Sequence, residues 1–326
     1  MRFDVFGMCN ALVDLQAEVD DQTLEELRLA KGSMSLLDRA QYEELLPCVV
    51  ESIVNIEAGG SGANTMSGVS LLGGRACYTS RVGSDEYGDL YRRSLLTRDV
   101  QPNLGTCEGR TGTSLILITP DSQRTMCTYL GASRALEARD VRLSDLRDSQ
   151  YLYVTAYLWD TDNQKEAVLL AMREANRTGV QVALSLSDPF CVARHKADLL
   201  DLMRSHVDVL VGNADEAQAL TDTGTPREAV RALAALSDVA AVTMDERGSL
   251  LCRGEEIVEV PTYPIDPVDT TGAGDMYAAG LLYGLTRGMP LAVTGRVASY
   301  TASLVVGQFG PRLDRVDPQA IAGLVD

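Results

Sequence analysis

The chain has 326 residues, 45% of them hydrophobic, enough for one large α/β core or a core carrying a smaller appendage. Its 46 acidic against 29 basic side chains leave a net charge of −17, which disfavours nucleic acid or an anionic membrane as the main partner. The seven cysteines stand singly with no CxxC pair, so neither a disulfide framework nor a thiolate zinc site is indicated, and a reducing, cytoplasmic setting fits.

Residues 1–10 read as a strand and not as a secretory leader, and no apolar run approaches the roughly 18 residues of a membrane span. Short apolar runs then alternate with amphipathic stretches. Strands are expected at 3–9, 75–82, 151–156, 180–186, 207–211, 239–244 and 250–252, and helices at 65–72, 163–177 and 226–236. This alternation implies a mostly parallel sheet with helices on its faces. Two regions interrupt it: residues 14–38, and residues 111–130, where two apolar runs flank the turn Pro120-Asp-Ser-Gln123 and read as a β-hairpin. Together they suit a small sheet over one edge of the main domain; a hairpin extending the central sheet is the alternative.

Asn10 and Asp14 follow the first strand, at the kind of carboxyl edge where ligands of α/β sheets collect. A carboxylate there can accept from two neighbouring hydroxyls at once. The cluster Gly59-Gly60-Ser61-Gly62-Ala63-Asn64 precedes a helix; its glycines permit close backbone approach, and Ser61 and Asn64 offer partners suited to a polyol, although a Ser-capped helix start accounts for the same residues. Asn213-Ala-Asp-Glu216 follows another strand, where an Asn cap with acidic residues in the first turn is a sufficient structural account. The densest signal is Asp269-Thr-Thr-Gly-Ala-Gly-Asp275, where a loop turns into a helix with apolar Met276, Ala279 and Leu282 on one face. The amides of Gly272, Ala273 and Gly274 are then unpaired donors at a positive dipole end, a cradle for phosphate, and Asp275 beside them suits a general base. The plainer reading of Asp275 is a carboxylate capping the helix. His195 and His206 lack metal-ligand spacing, and GxxxxGK[ST] and GxSxG are absent.

In this order and across nearly the whole chain, these stretches resemble the PfkB or ribokinase-like family of sugar and nucleoside kinases. The resemblance implies a ribokinase-like three-layer α/β/α fold over 1–326 as a single domain, with a mostly parallel central sheet and a small β lid from segments at about 14–38 and 105–130. It implies Asp275 as catalytic base, Gly272, Ala273 and Gly274 as the anion hole with Thr270 at the nucleotide, and Asn213 and Glu216 ordering ATP phosphates and magnesium through water. Thr243 and Gly248 fall at nucleotide positions, although the glycine usual two residues after Thr243 is Asp245 here. A monovalent cation such as potassium would lie behind the anion hole at Asp269, Thr271 and Gly310.

The opening Phe6-Gly-Met-Cys-Asn10-Ala-Leu-Val-Asp14, Thr111-Gly-Thr113 with Arg124, and Leu184-Ser-Leu-Ser-Asp-Pro-Phe190 are similar to stretches of the adenosine-kinase branch. That likeness implies transfer of the ATP γ-phosphoryl to the 5′-hydroxyl of adenosine, giving AMP in purine salvage. Asp14, Gly60 and Asn64 would hold the ribose hydroxyls, with Asn10, Gly59 and Ser61 also at the substrate, and Arg124 would reach the transferring phosphate from the lid. Tyr157 and Trp159 fall where aromatic residues lie near the base; a buried core position serves the lone Trp equally. The competing readings are a kinase for a free sugar such as ribose or fructose, a nucleoside-binding regulator without activity, and a dinucleotide oxidoreductase. The last is disfavoured because neither glycine cluster completes GxGxxG. The expected partners are the nucleoside or sugar and ATP, with no nucleic acid or membrane, in a monomer or homodimer.

Overall fold

Two sheets organise the chain in the computed structural model, which describes residues 1–121 and 123–325. The strands are β1 (Phe3–Met8), β2 (Leu12–Glu18), β3 (Met34–Leu36), β4 (Ile53–Gly59), β5 (Ala76–Gly83), β6 (Gln101–Cys107), β7 (Gly112–Ile118), β8 (Arg124–Tyr129), β9 (Ser149–Thr155), β10 (Gln181–Ser185), β11 (Val209–Asn213), β12 (Val239–Thr243), β13 (Ser249–Arg253) and β14 (Glu256–Val260). The main sheet has nine strands in the order β14-β13-β12-β11-β10-β9-β1-β5-β6, parallel from β12 to β6, with β13 and β14 antiparallel. All seven strands read from the sequence belong to it; β6 and β14, its two edges, are additional.

The inner strands are apolar on both faces because both faces are covered. Val5, Tyr153, Ala183 and Val211 pack on one side with Met66, Ala279 and Ala298 of the helices Ser61–Leu71, Ala273–Thr286 and Leu291–Val306. Phe6, Leu152, Leu184 and Leu210 pack on the other with Ala171 and Leu199 of the helices Asp162–Thr178 and Pro189–His206. The result is the expected α/β/α arrangement. No helix among the described residues is long and apolar enough to cross a membrane.

The second sheet has five strands in the order β3-β8-β7-β2-β4. The hairpin read from the sequence is the antiparallel pair β7–β8, and it belongs here instead of extending the main sheet. β2 and β3 come from the first interrupting region, while β4, running into the glycine cluster, was not anticipated. Along β2 the alternation is clean: Val13, Leu15 and Ala17 are buried on the face covered by Tyr42, Leu45 and Val49, so Asp14, Gln16 and Glu18 share the opposite face.

The helix Ala273–Thr286 is buried nearly all round, and its neighbours approach it through residues without bulk. A Cβ built on Gly280 would lie 2.7 Å from the Ala298 Cα, and one on Gly68 would lie 2.6 Å from the Ala279 Cβ. Gly280→Val is therefore expected to lower stability by about 1–3 kcal/mol through overpacking. A lower urea midpoint with an unchanged m-value checks this; an unchanged midpoint refutes the close packing.

Candidate active site

The contact between the helices Ser61–Leu71 and Ala273–Thr286 sets their N-termini side by side. Each starts from a glycine with positive φ, Gly60 at 85° and Gly272 at 80°, so each chain turns sharply into its first helical turn. Ser61 and Asn64 project from one start and Asp275 from the other. The Ser61 hydroxyl donates to Asp275 Oδ1 at 2.5 Å, and Asn64 Nδ2 donates to Asp275 Oδ2 at 2.8 Å. Burial pushes the Asp275 carboxyl up to about 6, against these two hydrogen bonds and the Arg312 charge, which favour ionisation. A carboxyl with that value can exchange a proton near neutral pH.

The fold gives the amides of Gly272, Gly274 and Asp275 no acceptor among the described residues, as the first turn of a helix requires. The expected trio needs one correction: the Ala273 N–H donates to the Thr270 carbonyl at 3.2 Å, which closes the preceding turn. A Cβ on Gly272 would stand 2.6 Å from the Pro311 Cα, whereas one on Gly274 would meet nothing within 4 Å. Gly274 thus faces open space, and the donors are reachable by an anion.

Asp14 lies on the second-sheet face, directly opposite Glu57 of β4, and packs so closely on Gly59 that a Cβ there would fall 2.0 Å from its Oδ2. Burial and the neighbouring Glu57 carboxylate push Asp14 up to about 7, with Arg312 and Arg124 pulling the other way. Glu57 accepts from Gln16 Nε2 at 2.9 Å. Asn10 is buried beside this group; its Oδ1 accepts from Gln164 Nε2 at 2.8 Å, and its carbonyl would lie 2.8 Å from a Cβ on Gly60.

A cleft of about 890 Å³ opens between the second sheet and the 267–271 loop, with Gln16, Arg124, Asp269, Thr270, Thr271 and Phe309 among its walls. Asp275 is not one of them. Arg124 crosses from β8 to the loop, pairing with Asp269 Oδ2 at 2.7 Å and donating to Thr271 Oγ1 at 2.5 Å. Asp269, Thr271 and Gly310, the residues expected at a potassium site, are joined to one another here. Asp269 accepts from the Thr271 and Gly310 amides at 3.0 and 2.9 Å, and the guanidinium completes its shell. Burial raises the Asp269 carboxyl, but the two amides and Arg124 together bring it below its usual value.

At the carboxyl ends of β11 and β12, Asn213 and Thr243 are register neighbours. Asn213 and Glu216 form a reciprocal capping box: Asn213 Oδ1 accepts from the Glu216 amide at 2.8 Å, and Glu216 Oε2 accepts from the Asn213 amide at 3.0 Å. Burial pushes the Glu216 carboxyl up to about 7. Asp245 stands at φ 52°, in the region that favours glycine, so the turn persists with a carboxylate in it. Gly248 is fixed by close approach, a Cβ there falling 2.0 Å from the Val260 carbonyl.

The two aromatics separate. Tyr157 donates to the Ser187 carbonyl at 3.2 Å, at the sheet edge shared with Asn213. Trp159 packs in the opposite core with its Nε1 donating to Asp198 at 3.1 Å, contacts that suit the core reading. Sequence reasoning missed Glu57 and Arg312. Arg312 is buried and donates from Nε to Asn64 Oδ1 at 2.7 Å, across 248 positions of sequence, and no spacing pattern signals such a contact.

Comparison with known proteins places the fold among solved kinases. A probable sugar kinase from Rhizobium etli CFN 42 and adenosine kinase from Sinorhizobium meliloti each superpose with a TM-score of 0.92 at 38% identity, covering 99% of both chains. Among curated proteins, guanosine-inosine kinase of Escherichia coli K12 is 29% identical over 236 residues, 68% of this chain and 54% of that relative, so the chain spans about half the length of this curated relative. A pfkB family carbohydrate kinase model matches residues 36–317, and the chain belongs to that family.

Proposed function

We propose that the protein transfers the γ-phosphoryl group of ATP to the 5′-hydroxyl of a nucleoside, adenosine in the first instance, giving AMP as in purine salvage. The observation that carries this reading is the half-buried Asp275 carboxylate held by Ser61 and Asn64 beside open helix-start amides. A sugar alcohol bound at the Gly59–Asn64 turn meets the carboxylate, and a terminal phosphate on the amides meets the sugar.

Asp275 takes the hydroxyl proton as the oxygen attacks phosphorus, and the bond to the β-phosphate oxygen breaks to release ADP. Gly272 and Gly274 stabilise charge on the transferring group, since phosphoryl transfer depends chiefly on position and electrostatics. Asp14 accepts from ribose hydroxyls in its ionised form, with Asn10 and Gly60 shaping the same pocket. The second sheet acts as a lid whose closure excludes water, and Arg124 exchanges Asp269 for the phosphate as the cleft fills. Asn213 and Glu216 order the nucleotide side. The same two residues would hold magnesium through water, and the ion would supply neutralising charge there.

A free-sugar substrate is the second reading, favoured by equal likeness to the probable sugar kinase from Rhizobium etli. Coupled ADP release with adenosine, inosine, guanosine, ribose and fructose separates the two; turnover of ribose or fructose with none on nucleosides overturns the nucleoside proposal.

Asp275→Asn is expected to leave nucleoside affinity nearly intact and cut kcat by about 10² or more. Wild-type turnover in that variant removes the base assignment. Asp14→Ala should raise the nucleoside KM with little change in kcat, and an unchanged KM would place the ribose elsewhere. Both carboxyls act ionised, with values of about 6 for Asp275 and about 7 for Asp14, so kcat/KM should rise with pH through that interval. A profile flat from pH 5 to 8 contradicts both roles.

A further inference from the structure

Arg312 is the buried cation of this site, and nothing in the reaction scheme above uses it. It stands in the segment Gly310–Pro311–Arg312, whose three residues each touch the active site from behind. The Gly310 amide donates to Asp269, Pro311 closes on Gly272, and Arg312 reaches the other glycine turn. Its Nε donates to Asn64 Oδ1 at 2.7 Å, one terminal nitrogen donates to the Gly59 carbonyl at 3.2 Å, and the other to Ser94 Oγ at 3.0 Å. The Gly59 carbonyl also accepts from the Tyr91 hydroxyl at 3.0 Å. Each guanidinium nitrogen is therefore paired, as a charge this deep requires.

We propose that Arg312 is a positioning residue for phosphoryl transfer: by holding Asn64 Oδ1 and the Gly59 carbonyl together, it turns the Asn64 amide so that Nδ2 faces Asp275 and fixes the turn on which the acceptor rests. The inference depends on Asp275 being the base. Its logic lies in the asymmetry of a carboxamide, which has one donating and one accepting end. With Oδ1 claimed by a guanidinium, only the NH2 end remains for the carboxylate. Without that claim the amide is free to flip, which would point its oxygen at Asp275 and turn an attraction into a repulsion. Release of Gly59 would also loosen its close packing against Asp14.

The groups around the guanidinium are Asp14 of β2, Glu57 of β4, Asp275 of the helix Ala273–Thr286, and Tyr91 and Arg98 at the helix Glu86–Thr97. Arg312 favours the ionised form of both Asp14 and Asp275. Loss of its charge should therefore raise both carboxyls further and move the acid limb of kcat/KM to higher pH.

Steady-state kinetics across pH on Arg312→Lys, Arg312→Gln, Asn64→Ala and the Asn64→Ala/Arg312→Lys double variant, with thermal melting to confirm folding, tests this. Arg312→Lys keeps the charge without the planar fork. Its kcat is expected to fall about tenfold or more, since a misplacement near 1 Å costs as much as about 10²-fold, with the acid limb unmoved. Arg312→Gln should show a similar loss and an acid limb raised by about one pH unit. In the Asn64→Ala background Arg312→Lys should cost less than in the wild-type protein, because the action through the amide is already lost and only the hold on the Gly59 carbonyl remains. Wild-type kcat in Arg312→Lys, or losses that simply add in the double variant, overturns the proposal. Should Arg312→Gln not fold, the lysine variant and the double variant decide alone. Asp275→Asn, assayed alongside, separates the two claims: inactive Asp275→Asn with wild-type Arg312 variants defeats only this inference, whereas active Asp275→Asn defeats the reading of the base.

Discussion

The structure depends on one contact: two helices, each entered through a left-handed glycine, pack so tightly that Gly68 meets Ala279 with no room for a side chain. Close packing there brings residues 214 positions apart within 2.5 Å of one another, Ser61 against Asp275. Helix starts carry unpaired amides and a positive dipole end, so two adjacent starts make a pocket rich in donors. A carboxylate placed among them is desolvated by its surroundings and yet held by hydrogen bonds. These opposing effects leave Asp275 at about 6, able to accept a proton near neutral pH.

Around this contact the charges are arranged in two sets. Asp14, Glu57 and Asp275 surround the buried Arg312, whereas Asp269 is paired with Arg124 from the second sheet, whose charge also reaches Asp14. The two arginines differ in kind. Arg312 is enclosed and fully partnered, so it stiffens the site, while Arg124 lies on the wall of an open cleft with its guanidinium on a loop residue. In a protein of net charge −17, these local cations and the bare amides oppose the overall acidic field.

The central sheet was legible because its strands are buried on both faces and read as apolar runs between amphipathic helices. Its edges were not. β6 begins Gln101-Pro102-Asn103 and contains Gly105, residues that signal a turn; at a sheet edge, proline and glycine are tolerated. β4 carries exposed Val54, Asn55 and Ile56 and runs straight into a glycine cluster, so its pattern was masked by the stronger motif beside it. Gly272 and Gly274 were visible as a glycine-rich helix entry, but which amides stay free depends on the turn that consumes Ala273's, a detail of backbone geometry. Trp159 illustrates the limit of residue type: an indole serves a core and a binding wall equally well, and its partner Asp198 lies 39 positions away, beyond any spacing pattern. Arg312 follows a Gly-Pro pair with no periodicity, and its significance arises only when the fold carries Asn64 to it.

The most direct test of the account is a crystal structure with adenosine and a non-hydrolysable ATP analogue bound together. The account predicts the 5′-hydroxyl at hydrogen-bond distance from the Asp275 carboxylate, about 3 Å, with the terminal phosphate on the Gly272 and Gly274 amides. An acceptor hydroxyl bound away from Asp275, or a phosphate seated elsewhere in a closed cleft, would contradict it.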